Sequence, residues 1–146
     1  MSQPPEQTIQ EIVDRETPRL RLLQLREVST RPAPGKWSKK EILGHLIDSA
    51  SNNHQRFVRA LLSEELVFPG YVQNDWVRVQ GYADEEWQRM VELWSALNGH
   101  IARLVGRIPS EKMRIECRIG DSAPMTLEAL VADYVRHMTH HLEQLM

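Results

Sequence analysis

Apolar residues return every three or four positions in four stretches of this chain, and at every second position in one short stretch. The first pattern predicts amphipathic helices and the second a strand. From about Gln7 to Val28 the apolar positions are Ile9, Ile12, Val13, Leu20, Leu22, Leu23 and Leu25, set among charges. Pro18 interrupts this stretch, and Thr17 before it is a fair N-cap, so the pattern fits either two short helices or one kinked helix. Two prolines and a glycine in Ser29 to Trp37 then make a linker. Ser38-Lys39-Lys40-Glu41 has the form of a capping box. It opens a helix of about 25 residues whose stripe is Leu43, Leu46, Ile47, Ala50, Phe57 and Leu61.

No periodicity persists from Ser63 to Tyr82, where Pro69, Gly70, Tyr71, Trp76 and Gly81 stand. A loop of roughly 20 residues is uncommon in a compact domain unless it is functional, and its aromatic residues predict an ordered lid. Asp84 is placed to cap a third helix carrying Trp87, Met90, Val91, Trp94, Leu97, Ile101, Leu104 and Val105, which Pro109 stops. Met113, Ile115, Cys117 and Ile119 alternate with charges and predict a short strand, which requires a return strand or a partner chain. Thr126 can cap the last helix, with Leu127, Leu130, Val131, Tyr134, Val135, Met138, Leu142 and Leu145 on its stripe. The expected fold is all-α, a four-helix bundle with a long ordered loop between helices 2 and 3 and a strand-like segment before helix 4.

Composition narrows the function. The 146 residues are 41% hydrophobic and 26% charged, the size and balance of one globular domain spanning 1–146. A formal net charge of -2 with no basic stripe disfavours nucleic acid. No apolar run approaches the roughly 18 residues of a membrane span, and the polar, acidic start lacks a signal-peptide core. Cys117 is the one cysteine, so a reducing cytoplasm is the expected address and a small buried hydrophobe its expected role. Motifs for nucleotide phosphates are absent.

Three of the six histidines fall in Arg136-His137-Met138-Thr139-His140-His141. His137 and His141 are four apart, which stacks two imidazoles about 6 Å apart on one helix face, an arrangement that can bind a single metal ion. Such pairs also arise on solvated faces, so a third ligand matters. His45, beside Leu46 and Ile42 on the second helix, is the best candidate, with His100 in reserve. His54 lies about half a turn from His45 on the wheel and cannot face the same site. Asp133 (four before His137) and Asp48 (three after His45) could accept an imidazole N–H and fix its tautomer, and Gln144 could reach the same rim.

The chain resembles the DinB/YfiT-like superfamily of bacterial four-helix-bundle proteins from about residue 30 to the end. The matching segments are Pro34-Gly35-Lys36-Trp37-Ser38 leading to Glu41-Ile42-Leu43-Gly44-His45-Leu46-Ile47-Asp48, then Phe68-Pro69-Gly70-Tyr71 with Asp75-Trp76-Val77, and finally His137-Met138-Thr139-His140-His141-Leu142-Glu143-Gln144. The resemblance implies a divalent metal on His45, His137 and His141, with zinc or nickel first and iron or manganese also compatible. It implies a homodimer, and a metal-dependent enzyme that transfers a low-molecular-weight thiol or hydrolyses a small molecule in a cavity beneath Tyr71 and Trp76. The competing expectation is a non-catalytic, metal- or ligand-binding dimeric stress protein. Relatives often carry acids after the lid tyrosine, where this chain has Val72 and Asn74.

Overall fold

Ser38 is the cap that its sequence context predicts. In the computed structural model, which describes residues 3–146, Ser38 Oγ accepts the Glu41 N–H at 3.2 Å. The Ser38 N–H donates to Glu41 Oε1 at 3.1 Å, and helix α3 runs from here as Lys39–Leu61. Arg31 grips the same carboxylate through two bonds of 2.9 and 3.0 Å, fastening the linker to the helix start. Burial alone would raise the Glu41 pKa, but the hydrogen bonds from Ser38 and Arg31 outweigh it and hold the group below its usual value.

Helix α1 is Pro5–Arg21, and Pro18 lies inside it. Thr17 is therefore not a cap; its hydroxyl bonds Ser95 Oγ at 3.2 Å. The missing Pro18 N–H costs the helix one bond, and tertiary anchoring holds the last turn, where Leu20 is fully buried and its carbonyl accepts Trp87 Nε1–H at 2.7 Å. A separate short helix, α2 (Leu25–Ser29), follows. The third long helix, α5 (Trp87–Gly106), starts two residues later than the sequence suggests, with Glu86 in the cap position, because Asp84 closes a 3-10 turn, Tyr82–Asp84, instead of capping it. Thr126 does cap the last helix, α6 (Leu127–Leu145), accepting the Ala129 N–H at 3.1 Å.

The long helices form the expected four-helix bundle. Its principal packings set α1 against α5 and α6, and α3 against the same two. Around the core the order is thus α1, α5, α3, α6, and α1 and α3, successive in the chain, sit diagonally. Trp94, Phe57, Leu43, Ile101 and Met138 fill the centre. No helix among the described residues is long and apolar enough to cross a membrane.

The segment expected as an irregular lid is ordered but not irregular. It holds strand β1 (Leu66–Phe68) and helix α4 (Gln73–Gln80), which ends at Gly81 with φ 64°. That left-handed turn is one a glycine adopts without strain. Strand β2 (Glu116–Ile119) begins later than predicted, after a 3-10 turn at Ser110–Arg114. Its unpaired edges are met within the chain by β1, parallel, and by β3 (Met125–Thr126), antiparallel. Cys117 on β2 is fully buried, and burial pushes its thiol pKa up, as expected of a structural cysteine.

Candidate metal centre

Helical geometry brings the three predicted histidines together. His45 projects from α3 and is fully buried; His137 and His141 project from α6 and are half-buried. One imidazole nitrogen from each lies within 4.8 Å of the others, and His45 Nε2 stands 3.0 Å from His137 Nε2. Two nitrogens bound about 2.0–2.1 Å from one tetrahedral ion lie about 3.3 Å apart, so the donor set fits a single ion after small side-chain adjustments.

Protonation favours the same use. Desolvation, then repulsion from the neighbouring imidazoles, pushes the His45 pKa down to about 3 and that of His137 to about 4. Both rings are neutral at pH 7, with lone pairs free to ligate. His141 Nδ1 donates to Gln144 Oε1 at 2.9 Å, which leaves its Nε2 as the ligating atom. Gln144 thus reaches the rim as its spacing predicts.

The carboxylates do not take their expected places. Asp48 bonds neither His45 nor any other histidine; its Oδ1 accepts from Gln80 Nε2 and from the Tyr82 hydroxyl, both at 2.7 Å. It fastens the α4 region to α3. His45 Nδ1, which Asp48 was expected to serve, has no partner among the described residues. Asp133 pairs with Arg136, although it lines the same cavity as His137. Tyr71 and Trp76 pack together, ring centroids 5.0 Å apart, with Tyr71 on the cavity wall. His54 and His100 pair with each other at 5.2 Å, outside the triad, and His140 is exposed, its ring 5.1 Å from His141.

Sequence reading missed a polar face on α3. Asp48, Ser49, Asn52, Asn53 and Arg56 are all at least nine-tenths buried and follow His45 at three, four, seven, eight and eleven residues. At 100° per residue these positions share one side of the helix. That side leads from the triad into a cavity of about 310 Å³ bounded by His137, Tyr134 and Tyr71. The signal was available: polar residues in helical register with His45, where the apolar stripe gives out.

The comparisons with known proteins converge on one lineage. A curated protein of Halalkalibacterium halodurans, named "Putative metal-dependent hydrolase", is 23% identical over 106 residues, covering 73% of this chain and 61% of its own length. One of Oceanobacillus iheyensis with the same descriptive name is 24% identical over 116 residues, covering 80% and 66%. The chain therefore spans less than two thirds of either relative. The solved structure of YfiT from Bacillus subtilis, described as a probable metal-dependent hydrolase with an unusual four-helix bundle topology, superposes with a TM-score of 0.84. That match covers 97% of this chain and 81% of YfiT at 21% identity, and establishes a shared fold. Residues 9–145 match the family model described as the DinB superfamily; with nearly the whole bundle inside that match, the chain belongs to the DinB superfamily.

Proposed function

We propose that this protein is a metal-dependent enzyme that holds a divalent ion on His45, His137 and His141 and hydrolyses a small molecule in the adjoining cavity. The observation that carries the reading is the convergence of one imidazole nitrogen from each of three histidines within 4.8 Å, with His137 on the wall of that cavity. The hydrolase names of the two curated relatives support the reaction class. Zinc or nickel suits an all-imidazole donor set best. Such an ion lowers the pKa of a bound water toward about 7 and deprotonates a bound thiol outright, giving a nucleophile at neutral pH.

The chain's own residues prepare the site. Gln144 sets the His141 tautomer, and burial keeps His45 and His137 unprotonated. Asp133, on the cavity wall, is the carboxylate best placed to take a proton from water. Its pairing with Arg136 favours a second reading, transfer of a low-molecular-weight thiol, which needs no such base.

Metal analysis of untagged protein tests the assignment. Wild type and His54→Ala should carry about one equivalent of metal, and His45→Ala, His137→Ala and His141→Ala far less. Equal metal in all five proteins would remove the site.

A further inference from the structure

The polar face of α3 ends at Arg56, whose side chain is buried on the wall of the cavity that also meets His137. A guanidinium has five N–H donors. Here Nη1 has one long contact, 3.5 Å to Asn53 Oδ1, and Nε has none. Among the described residues no carboxylate lies within ion-pair distance of it. The Phe68 ring, its centroid 5.4 Å from Cζ, offers the group a cation–π contact but no hydrogen-bond acceptor and no countercharge. Asn53 cannot neutralise it, because its amide is uncharged; its Oδ1 faces Nη1 while its Nδ2 donates to the Ser49 carbonyl at 2.8 Å. Burying an unpaired cation is costly, and desolvation pushes the Arg56 pKa down.

We propose that Arg56 anchors the carboxylate of a monoanionic substrate, with the rest of that molecule lying along the cavity toward His137. A carboxylate meets the N–H fork in two parallel bonds and supplies the missing charge. One cation matches one negative charge. A dianionic phosphate would leave an excess charge in a cavity already bordered by Asp133. His45 and Arg56 are eleven residues apart on one helix face, about 16 Å along its axis, which puts the charge at the end of the substrate remote from the triad. A cavity of about 310 Å³ lies at the small end of small-molecule sites. This inference rests on the proposed function for what happens at the histidines, but the anchoring itself needs no metal.

The test therefore uses the full chain stripped of metal by chelation, at pH 8, where burial leaves His45 and His137 neutral. It is titrated with hexanoate and with the isosteric neutral hexanamide, and NMR shifts of the Tyr71 and Tyr134 amides report occupancy of the cavity. Hexanoate should bind at least ten-fold more tightly than hexanamide, and Arg56→Gln should bring the two to near parity. Equal binding by wild type, no saturable shift with either probe, or a preference that survives Arg56→Gln would each overturn the proposal. If Arg56→Gln does not fold, the wild-type comparison decides alone. Zinc stoichiometry measured on the same protein keeps the readings apart: carboxylate preference without zinc binding defeats the metal assignment only, and zinc binding without the preference defeats only this one.

Discussion

Replacing Gly44 by alanine should destabilise the fold, although alanine is the better helix former. Gly44 is buried on α3, and the Tyr82 ring lies directly over it. A Cβ built there would stand 2.2 Å from Tyr82 Cδ2, 2.3 Å from Cγ and 2.7 Å from Cε2, so the ring must retreat by about 1 Å to reach ordinary contact. That retreat pulls the hydroxyl away from Asp48, whose buried carboxylate keeps only Gln80. Overpacking costs about 1–3 kcal/mol, and a lost hydrogen bond to a buried charged group about 1.5–3 kcal/mol. Helix propensity returns up to about 1 kcal/mol, leaving a net loss of about 2–5 kcal/mol. At this chain length, where 1 kcal/mol shifts Tm by about 2–4 °C, that is a fall of about 4–20 °C. Urea titrations of wild type and Gly44→Ala measure it directly. In a Tyr82→Ala background the three nearest contacts of the added Cβ are gone, so there the substitution should be neutral or stabilising by up to about 1 kcal/mol. Stabilisation in the wild-type background, or equal loss in both, would refute the close-approach argument.

Acid should destabilise the metal-free protein from the triad outward. His45 and His137 titrate at about 3 and 4 when folded, against an ordinary 6.5, so between these values the unfolded chain binds more protons. Their contribution is intact above pH 6.5 and is lost as pH falls toward 4, with a slope of at most about 1.4 kcal/mol per pH unit for each group. Denaturant midpoints between pH 8 and 4 report it, and a pH-independent midpoint in the chelated protein would contradict it. Gln144→Ala should weaken zinc binding by about 10-fold, because His141 loses the acceptor that fixes its tautomer. Competition with a chromogenic chelator reads the change, and an unaltered affinity would detach Gln144 from the site.

The parts of this molecule legible in its sequence are those decided locally. α3 and α6 announce themselves through Ser38 and Thr126 and through stripes that stay in register for five turns. The triad was readable for the same reason: a four-residue spacing on one helix and a single histidine at a core-facing position on another. What escaped is decided by distant contacts. α4 buries only Val77 of its eight residues and so has no stripe to detect. Asp48 looked like the partner of His45 because helical spacing measures only its own helix; Tyr82, 34 residues away, takes its carboxylate instead. Pro18 left two short helices or one kinked helix equally open, and the buried face around Leu20 keeps a single helix despite one absent hydrogen bond.

The small sheet has a consequence for how the cavity is assembled in time. Its parallel pair joins Leu66 to Cys117 and Phe68 to Ile119, about fifty residues apart in the chain. Closing a loop of that length in an unfolded chain costs about 3.5 kcal/mol by the logarithmic rule, more than strands of three and four residues can recover alone. The pairing becomes favourable only after α3 and α5 have packed, since the bundle then holds the two strands near each other. Tyr71 and Ile119, both on the cavity wall, follow these strands into place. The helical frame should thus form first and the substrate chamber last, and unfolding should begin where the chemistry is proposed to occur.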